Sequence, residues 1–323
     1  MKILTIGGTR FSGRALTGLA LEDGHDVTVF HRGTGDEPWP EAEHVHGDRV
    51  DGFDALAGRS FDAVVDMCGY VPRELRASTE AFPDARRYVF ISSLSAHVDD
   101  VRPHATEDDD LHQPPFPDSE EITEETYGPL KVASERVVID AFGDRATIVR
   151  PGLIVGPHDP TDRFTYWVRR VADGGEILAP EPPDYEVQWI DARDLAAFVL
   201  LLVERSIAGI YSVVDAPMPI ERLFAACRYV SGSDAALTWV PRAFLEEHEV
   251  EPWSDLPLWM PQFPGFNRFD ASRAIAAGLR ARSVEDTVRD TLAWDRERPQ
   301  TWPMQAGLAL DRERSLLAAW HAA

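Results

Sequence analysis

The stretch from Lys2 to Phe30 leaves the chain few folds to adopt. Lys2-Ile3-Leu4-Thr5-Ile6 is a short apolar, β-rich run. Gly7-Gly8-Thr9-Arg10-Phe11-Ser12-Gly13 follows, and then Ala15, Leu16, Leu19 and Ala20 recur at helical spacing. Gly24-His25 ends that helix, and Asp26-Val27-Thr28-Val29-Phe30 reads as a second strand. Strand, glycine turn, helix and strand in this order form the opening unit of a dinucleotide-binding sheet. Glycine lets backbone approach a pyrophosphate, which rests on the N–H groups of the helix start. The fold expected is α/β, a Rossmann-type doubly wound parallel sheet with a smaller C-terminal substrate domain.

At 323 residues and 44% hydrophobic content, the chain can bury one large or two modest cores. The expected division is a dinucleotide-binding domain at 1–157, rejoined by about 187–215. Residues 158–186 and 216–323 then make the smaller substrate domain.

Three places bear on the cofactor. A GxxGxxG turn would place glycine at position 10, where Arg10 stands. The second strand ends Phe30-His31-Arg32-Gly33, without the acid that usually takes the ribose 2′-hydroxyl of NAD. Arg32 suits a 2′-phosphate instead, which favours NADP, with NAD as the alternative. Val45-His46-Gly47-Asp48 reads as a short third strand whose acid, Asp48, lies near the adenine edge. Phe61–Met67 is a fourth strand followed by Cys68-Gly69-Tyr70, at the carboxyl end where open sheets bind ligands. A helix over 73–82 and a strand Arg87–Ile91 lead to Ser92-Ser93.

Tyr127-Gly128-Pro129-Leu130-Lys131 supplies the chemistry. The four-residue spacing at a helix start puts phenol and ammonium on one face. A phenol of pKa ~10 is a poor acid or base at neutral pH, and a neighbouring ammonium lowers that value. A tyrosine so tuned passes a proton to or from a carbonyl or alcohol oxygen while a nicotinamide handles the hydride. Lys2 and Lys131 are the only lysines in the chain.

Gly7–Gly13, Ser92-Ser93 and Tyr127-x-x-x-Lys131 together resemble the extended short-chain dehydrogenases/reductases, the NAD(P)-dependent epimerase/dehydratase family. Val149-Arg150-Pro151-Gly152-Leu153-Ile154-Val155-Gly156-Pro157 is similar to that family's RPxxxxGP segment beside the nicotinamide. Gln188–Ala196 is similar to its return strand and helix, and Gly278–Trp294 to its C-terminal helices. The GGTRF form of the turn resembles a subgroup with reductase-like and chloroplast RNA-associated members.

The resemblance implies roles. Tyr127 is the acid/base, Lys131 its tuner and ribose ligand, and Ser93 the hydrogen-bond partner of the reacting oxygen. The cofactor is held by Gly7, Gly8, Thr9, Arg10, Phe11, Ser12, Gly13, His31, Arg32, Asp48, Cys68, Gly69, Lys131, Pro151, Gly152 and Leu153. Ser95, Tyr70, Phe164, Arg169 and Gln188 are substrate-binding candidates. Leu94-Ser95 stand where the family's dehydratases carry an Asp-Glu pair, so elimination lacks its acid and base. An NAD(P)-dependent oxidoreductase or epimerase acting on a hydroxyl/ketone centre is expected, with a sugar or nucleotide-linked substrate in view. The rival is a non-catalytic NADP-binding sensor or scaffold on the same fold.

The segment between Ser93 and Tyr127 is acidic and proline-rich, with Asp108-Asp109-Asp110 and Gln113-Pro114-Pro115-Phe116-Pro117. It reads as a lid or a partly disordered loop. His97, His104 and His112 on it are read as surface histidines, and no metal site is expected. Leu130, Val137, Val138 and Phe142 leave apolar surface on the helix after Lys131, which suits a homodimer. Cys68 and Cys227 read as buried thiols without a disulfide framework. A net charge of −23 disfavours nucleic acid and anionic membranes as partners. No apolar run is long enough to span a bilayer, and a cytoplasmic location is expected.

Overall fold

Seven parallel strands form the central sheet of the computed structural model, which describes residues 1–114, 120–299 and 302–323. In chain order they are β1 (Lys2–Ile6), β2 (Asp26–His31), β3 (Glu43–His46), β4 (Ala63–Asp66), β5 (Arg87–Ile91), β6 (Ala146–Pro151) and β7 (Gly209–Val213). They lie in the order β7-β6-β5-β4-β1-β2-β3. The order reverses direction beside β1, so a crevice opens between the carboxyl ends of β1 and β4.

The strands alternate with period two, and each face feeds its own core. Ile3, Val29, Val65, Val89 and Val149 point to one face. There they meet α1 (Phe11–Glu22) through Leu16 and Ala20, and α5 (Ala192–Glu204) through Leu195, Val199 and Leu202. Leu4, Ile6, Val64, Phe90 and Ile148 point to the other. That face is covered by α2 (Pro72–Ala81) through Leu75 and by α3 (Glu124–Phe142) through Val138 and Phe142.

A second core lies beyond the sheet. It gathers Phe164, Trp167, Val168 and Val171 of α4 (Arg163–Ala172), and Leu223, Phe224 and Cys227 of the helix Ile220–Ser231. The two-strand pair Glu176–Pro180 and Ala236–Val240 and the helix Val284–Glu297 complete it. A short helix, Arg242–Glu247, follows the second strand of that pair.

Four expectations change. The apolar side of α3 faces its own sheet: Leu130, Val138 and Phe142 are buried, and of its large apolar side chains only Ile139 is exposed. The long acidic segment is pinned where it is described. His104 N–H donates to Arg268 O and Asp270 N–H to Ala105 O (2.9 Å), while the buried Glu107 carboxylate accepts from Ser212 N–H at 2.6 Å. Pro115-Phe116-Pro117 lie outside the described residues. His97 is not a surface histidine: it is buried against Phe269, and burial plus the nearby Arg150 hold its pKa down at about 4. Cys227 is buried as expected, whereas Cys68 is only partly so.

Candidate active site

The site begins with how closely α3 approaches the end of β5. Thr123 caps α3, accepting from Thr126 N–H while Thr126 Oγ1 accepts from Thr123 N–H. One turn in, a methyl on Gly128 would sit 2.1 Å from Ser95 O. Only glycine allows that contact, and it brings Tyr127 against the turn that follows Ser93. Ser93 Oγ accepts from Ser95 N–H at 3.1 Å, and the Ser93 side chain is near enough to the Tyr127 phenol to act on its pKa.

Lys131 lies one turn further along α3 and is only 3% exposed. Its Nζ donates to Gly69 O at 2.7 Å and to Ile91 O at 3.1 Å. It therefore ties the ends of β4 and β5 together. Nζ also lies 4.8 Å from the Phe90 ring centre, 5.1 Å from that of Tyr70 and 5.8 Å from that of Tyr127. Desolvation lowers the Lys131 pKa to about 8, opposed by the Asp66 carboxylate. The tyrosine behaves differently from expectation. Burial raises the Tyr127 pKa, the Ser93 side chain opposes this, and the Lys131 charge sits over the ring rather than at the oxygen.

A buried network sets the backbone beneath this trio. Asp66, at the end of β4, takes both Arg49 Nη1 (2.8 Å) and Nη2 (2.7 Å), Tyr88 Oη (3.0 Å) and Cys68 N–H (3.2 Å). Arg49 holds that carboxyl below its ordinary range despite full burial. Asp66 thus fixes Cys68-Gly69, whose Gly69 carbonyl receives Lys131. On the other side Ser92 Oγ donates to Glu135 at 2.5 Å, and Glu135 takes Arg150 bidentately at 2.9 and 2.7 Å.

The glycine turn packs against the same place. Gly7 has φ +87, and a methyl on it would meet Cys68 Sγ at 2.7 Å. A methyl on Gly13 would fall 2.2 Å from Gly7 O, so helix and turn touch through bare backbone. α1 starts without a side-chain cap and without an acid in its first turn. Its N–H groups and positive dipole end therefore suit a pyrophosphate, and the residues present fit a dinucleotide. Thr9, Phe11 and Ser12 are half-buried on the turn. Pro151, Gly152 and Leu153 close the end of β6, with Gly152 N–H on Val213 O.

The end of β2 holds a group that the sequence did not show. Glu37 folds back so that its Oε1 lies 2.5 Å from His46 Nε2 and 3.7 Å from His31 Nε2. A carboxylate thus stands near the end of β2 although none precedes it in the strand. Burial and the neighbouring imidazoles lower the His31 pKa. Arg10 and Arg32 are exposed and have no ion-pair partner among the described residues, and Asp48 holds its own turn through Val50 N–H.

The substrate candidates divide. Tyr70 is 43% exposed, with its ring centre 6.5 Å from that of Tyr127, and Ser95 is exposed beside Ser93. Phe164, Arg169 and Gln188 are committed elsewhere. Phe164 is fully buried against Trp189, and Arg169 makes a bidentate pair with Asp295. Gln188 is buried, donating to Asp215 O and Phe269 O.

The profile of the NAD dependent epimerase/dehydratase family matches residues 72–213, which include Ser93, Tyr127, Lys131 and Pro151. Solved structures of similar fold cover nearly the whole chain. UDP-glucose 4-epimerase of Thermotoga maritima, solved with UDP-glucose, has a TM-score of 0.67 at 15% identity, over 92% of this chain and 99% of that one. UDP-N-acetylglucosamine 4-epimerase of Bacillus cereus has a TM-score of 0.69 at 16% identity, over 94% and 99%. The Bordetella bronchiseptica enzyme WbmH, solved with NAD+, has a TM-score of 0.68 at 17% identity, over 92% and 98%. At these identities the likeness is one of fold. Among curated proteins, the chloroplast stem-loop binding protein of 41 kDa b from Arabidopsis thaliana is 28% identical over 218 residues. That alignment takes in 62% of this chain and 54% of the relative, about half of its length. No helix among the described residues is long and apolar enough to cross a membrane. With a Rossmann-type sheet and the family profile matched over residues 72–213, the chain resembles the NAD dependent epimerase/dehydratase family over that stretch.

Proposed function

We propose that the protein is an NAD(P)-dependent epimerase that inverts a hydroxyl-bearing carbon of a nucleotide-linked sugar, with Tyr127 as acid/base. One observation carries this: Ser93, Tyr127 and Lys131 meet at the carboxyl ends of β4 and β5, one residue from the Cys68 against which the glycine turn packs. When bound, an oxidised nicotinamide would accept the hydride from that carbon and give it back to the ketone. Tyr127 Oη removes the hydroxyl proton and later returns it to the ketone oxygen. Ser93 Oγ holds that oxygen in reach. Lys131, charged at neutral pH, lies over the Tyr127 ring, and in this proposal its charge offsets part of the burial that holds the phenol pKa up. Leu94-Ser95 offer no acid and base for elimination. Residues 1–157 with 187–215 hold the cofactor, and 158–186 with 216–323 supply the substrate side.

Incubation with a panel of UDP-hexoses tests the proposal, with products separated by chromatography. A C4 epimer formed without net change in cofactor supports it. Stoichiometric reduction or oxidation of added cofactor would point to a reductase instead. Cofactor turnover by no UDP-hexose, with cofactor still bound, would favour the sensor or scaffold.

NADP is the preferred cofactor in this proposal, because Arg32 and Arg10 flank the end of β2 without carboxylate partners. Fluorescence titration should show tighter NADPH than NADH binding. Arg32→Ala should remove most of the difference, about 1.5–3 kcal/mol for a charge-assisted contact. If the wild type prefers NADH, Glu37 rather than Arg32 reads the ribose.

The Arabidopsis relative's name raises stem-loop RNA as a second ligand. At −23 the surface repels phosphate, and RNA retained by this protein at 0.15 M salt would overturn that expectation.

A further inference from the structure

We infer that His31, Glu37 and His44 form a binding site for a borderline transition metal of the Zn²⁺ class, with His46 holding Glu37 in place. β2 and β3 build the site by register. His31 pairs with His46 across the two strands, and His44 lies two residues before His46, so the three imidazoles share one face. Glu37 then returns from the β2–β3 loop to close the group. The ligand atoms of His31, Glu37 and His44 all lie within 4.8 Å of one another.

The spacing is that of a collapsed metal site. Bonds of about 2.1 Å in a tetrahedron put neighbouring ligand atoms roughly 3.4 Å apart. His31 Nε2 lies 3.0 Å from His44 Nδ1 and 3.7 Å from Glu37 Oε1, which brackets that value. Two imidazoles and one carboxylate are a zinc donor set that leaves a fourth position open.

The outer contacts favour the same choice at His44. The Trp39 carbonyl can only accept, so His44 Nε2 carries the hydrogen at 2.9 Å and Nδ1 presents its lone pair to the group. A histidine whose second nitrogen donates to a carbonyl is the usual oriented metal ligand. His31 is set the other way. Gly33 N–H donates to its Nδ1 at 3.2 Å, so Nε2 carries the hydrogen and donates it to His44. Metal at Nε2 requires that hydrogen to move to Nδ1, which gives the other neutral tautomer of His31 and opens the Gly33 contact. The site is therefore expected to bind with moderate affinity that falls as pH falls, since every imidazole ligand must be unprotonated.

Titration of the full-length protein with Co²⁺ and Zn²⁺ tests this, using visible ligand-field absorption for Co²⁺ and calorimetry for Zn²⁺. One equivalent should bind, and Mg²⁺, which wants oxygen ligands, should not compete. Glu37→Gln lies on an exposed loop and leaves the fold intact, yet it should weaken Co²⁺ binding at least ~10-fold. His44→Phe should abolish the ligand-field band. No Co²⁺ band in the wild type, or Glu37→Gln titrating like the wild type, would show the group to be a hydrogen-bonded histidine cluster and nothing more.

Discussion

Tyr127→Phe is expected to cut turnover at least ~10²-fold while leaving cofactor affinity nearly unchanged, the usual scale for losing a positioned acid/base. The variant removes only the phenol oxygen, which faces Ser93, and keeps the ring beside Tyr70. Steady-state kinetics beside a cofactor titration separate the two effects. Near-normal turnover in the variant would remove Tyr127 from the chemistry. Lys131 adds a pH signature. Its folded pKa is lowered to about 8 by burial, so the ammonium is present below that pH and lost above it. The rate should therefore decline on the alkaline side from about pH 8, where a solvated lysine would hold its charge two units higher.

Glu135→Gln is expected to destabilise the protein by about 3–5 kcal/mol, because it leaves the Arg150 charge buried without its counter-ion. Arg150 is 1% exposed, and among the described residues it reaches, besides Glu135, only the Glu107 carbonyl at 3.2 Å and His97 at 3.4 Å. The same carboxylate receives Ser92 Oγ, so the loss also loosens the strand end that carries Ser93. Calorimetric melting should show a midpoint lower by on the order of 10 °C. A midpoint within a degree or two of the wild type would mean that Arg150 finds another partner, and the network would not be what holds the Ser93 turn.

The parts of the molecule legible in the sequence are those set by local pattern. Alternation and glycine position located β1, α1 and β2, and the Tyr127–Lys131 spacing put both side chains on one helical face. What escaped depends on contacts made across the chain. Glu37 reaches the end of β2 only because the loop after Arg32 folds back onto His46, and nothing in its neighbours marks that return. His97 looked exposed because its segment is acidic, yet the segment is drawn over Arg150 and Phe269 and takes the histidine inside. Phe164 and Arg169 stood in a run of aromatics and arginines that suited a ligand. The run is the buried face of α4, and Asp295, more than a hundred residues later, claims the arginine. The phenol shift went the other way because burial outweighs the Ser93 contact, while the Lys131 cation lies over the ring.

The central claim is that the Ser93–Tyr127–Lys131 site inverts a carbon through a transient ketone while hydrogen at that carbon never meets solvent. The direct measurement is proton NMR of the product formed from a UDP-hexose in D₂O. The C4 epimer should form with protium retained at C4 and with no reduced cofactor accumulating. Deuterium at C4 would contradict the claim, as would inversion that proceeds undiminished in Tyr127→Phe.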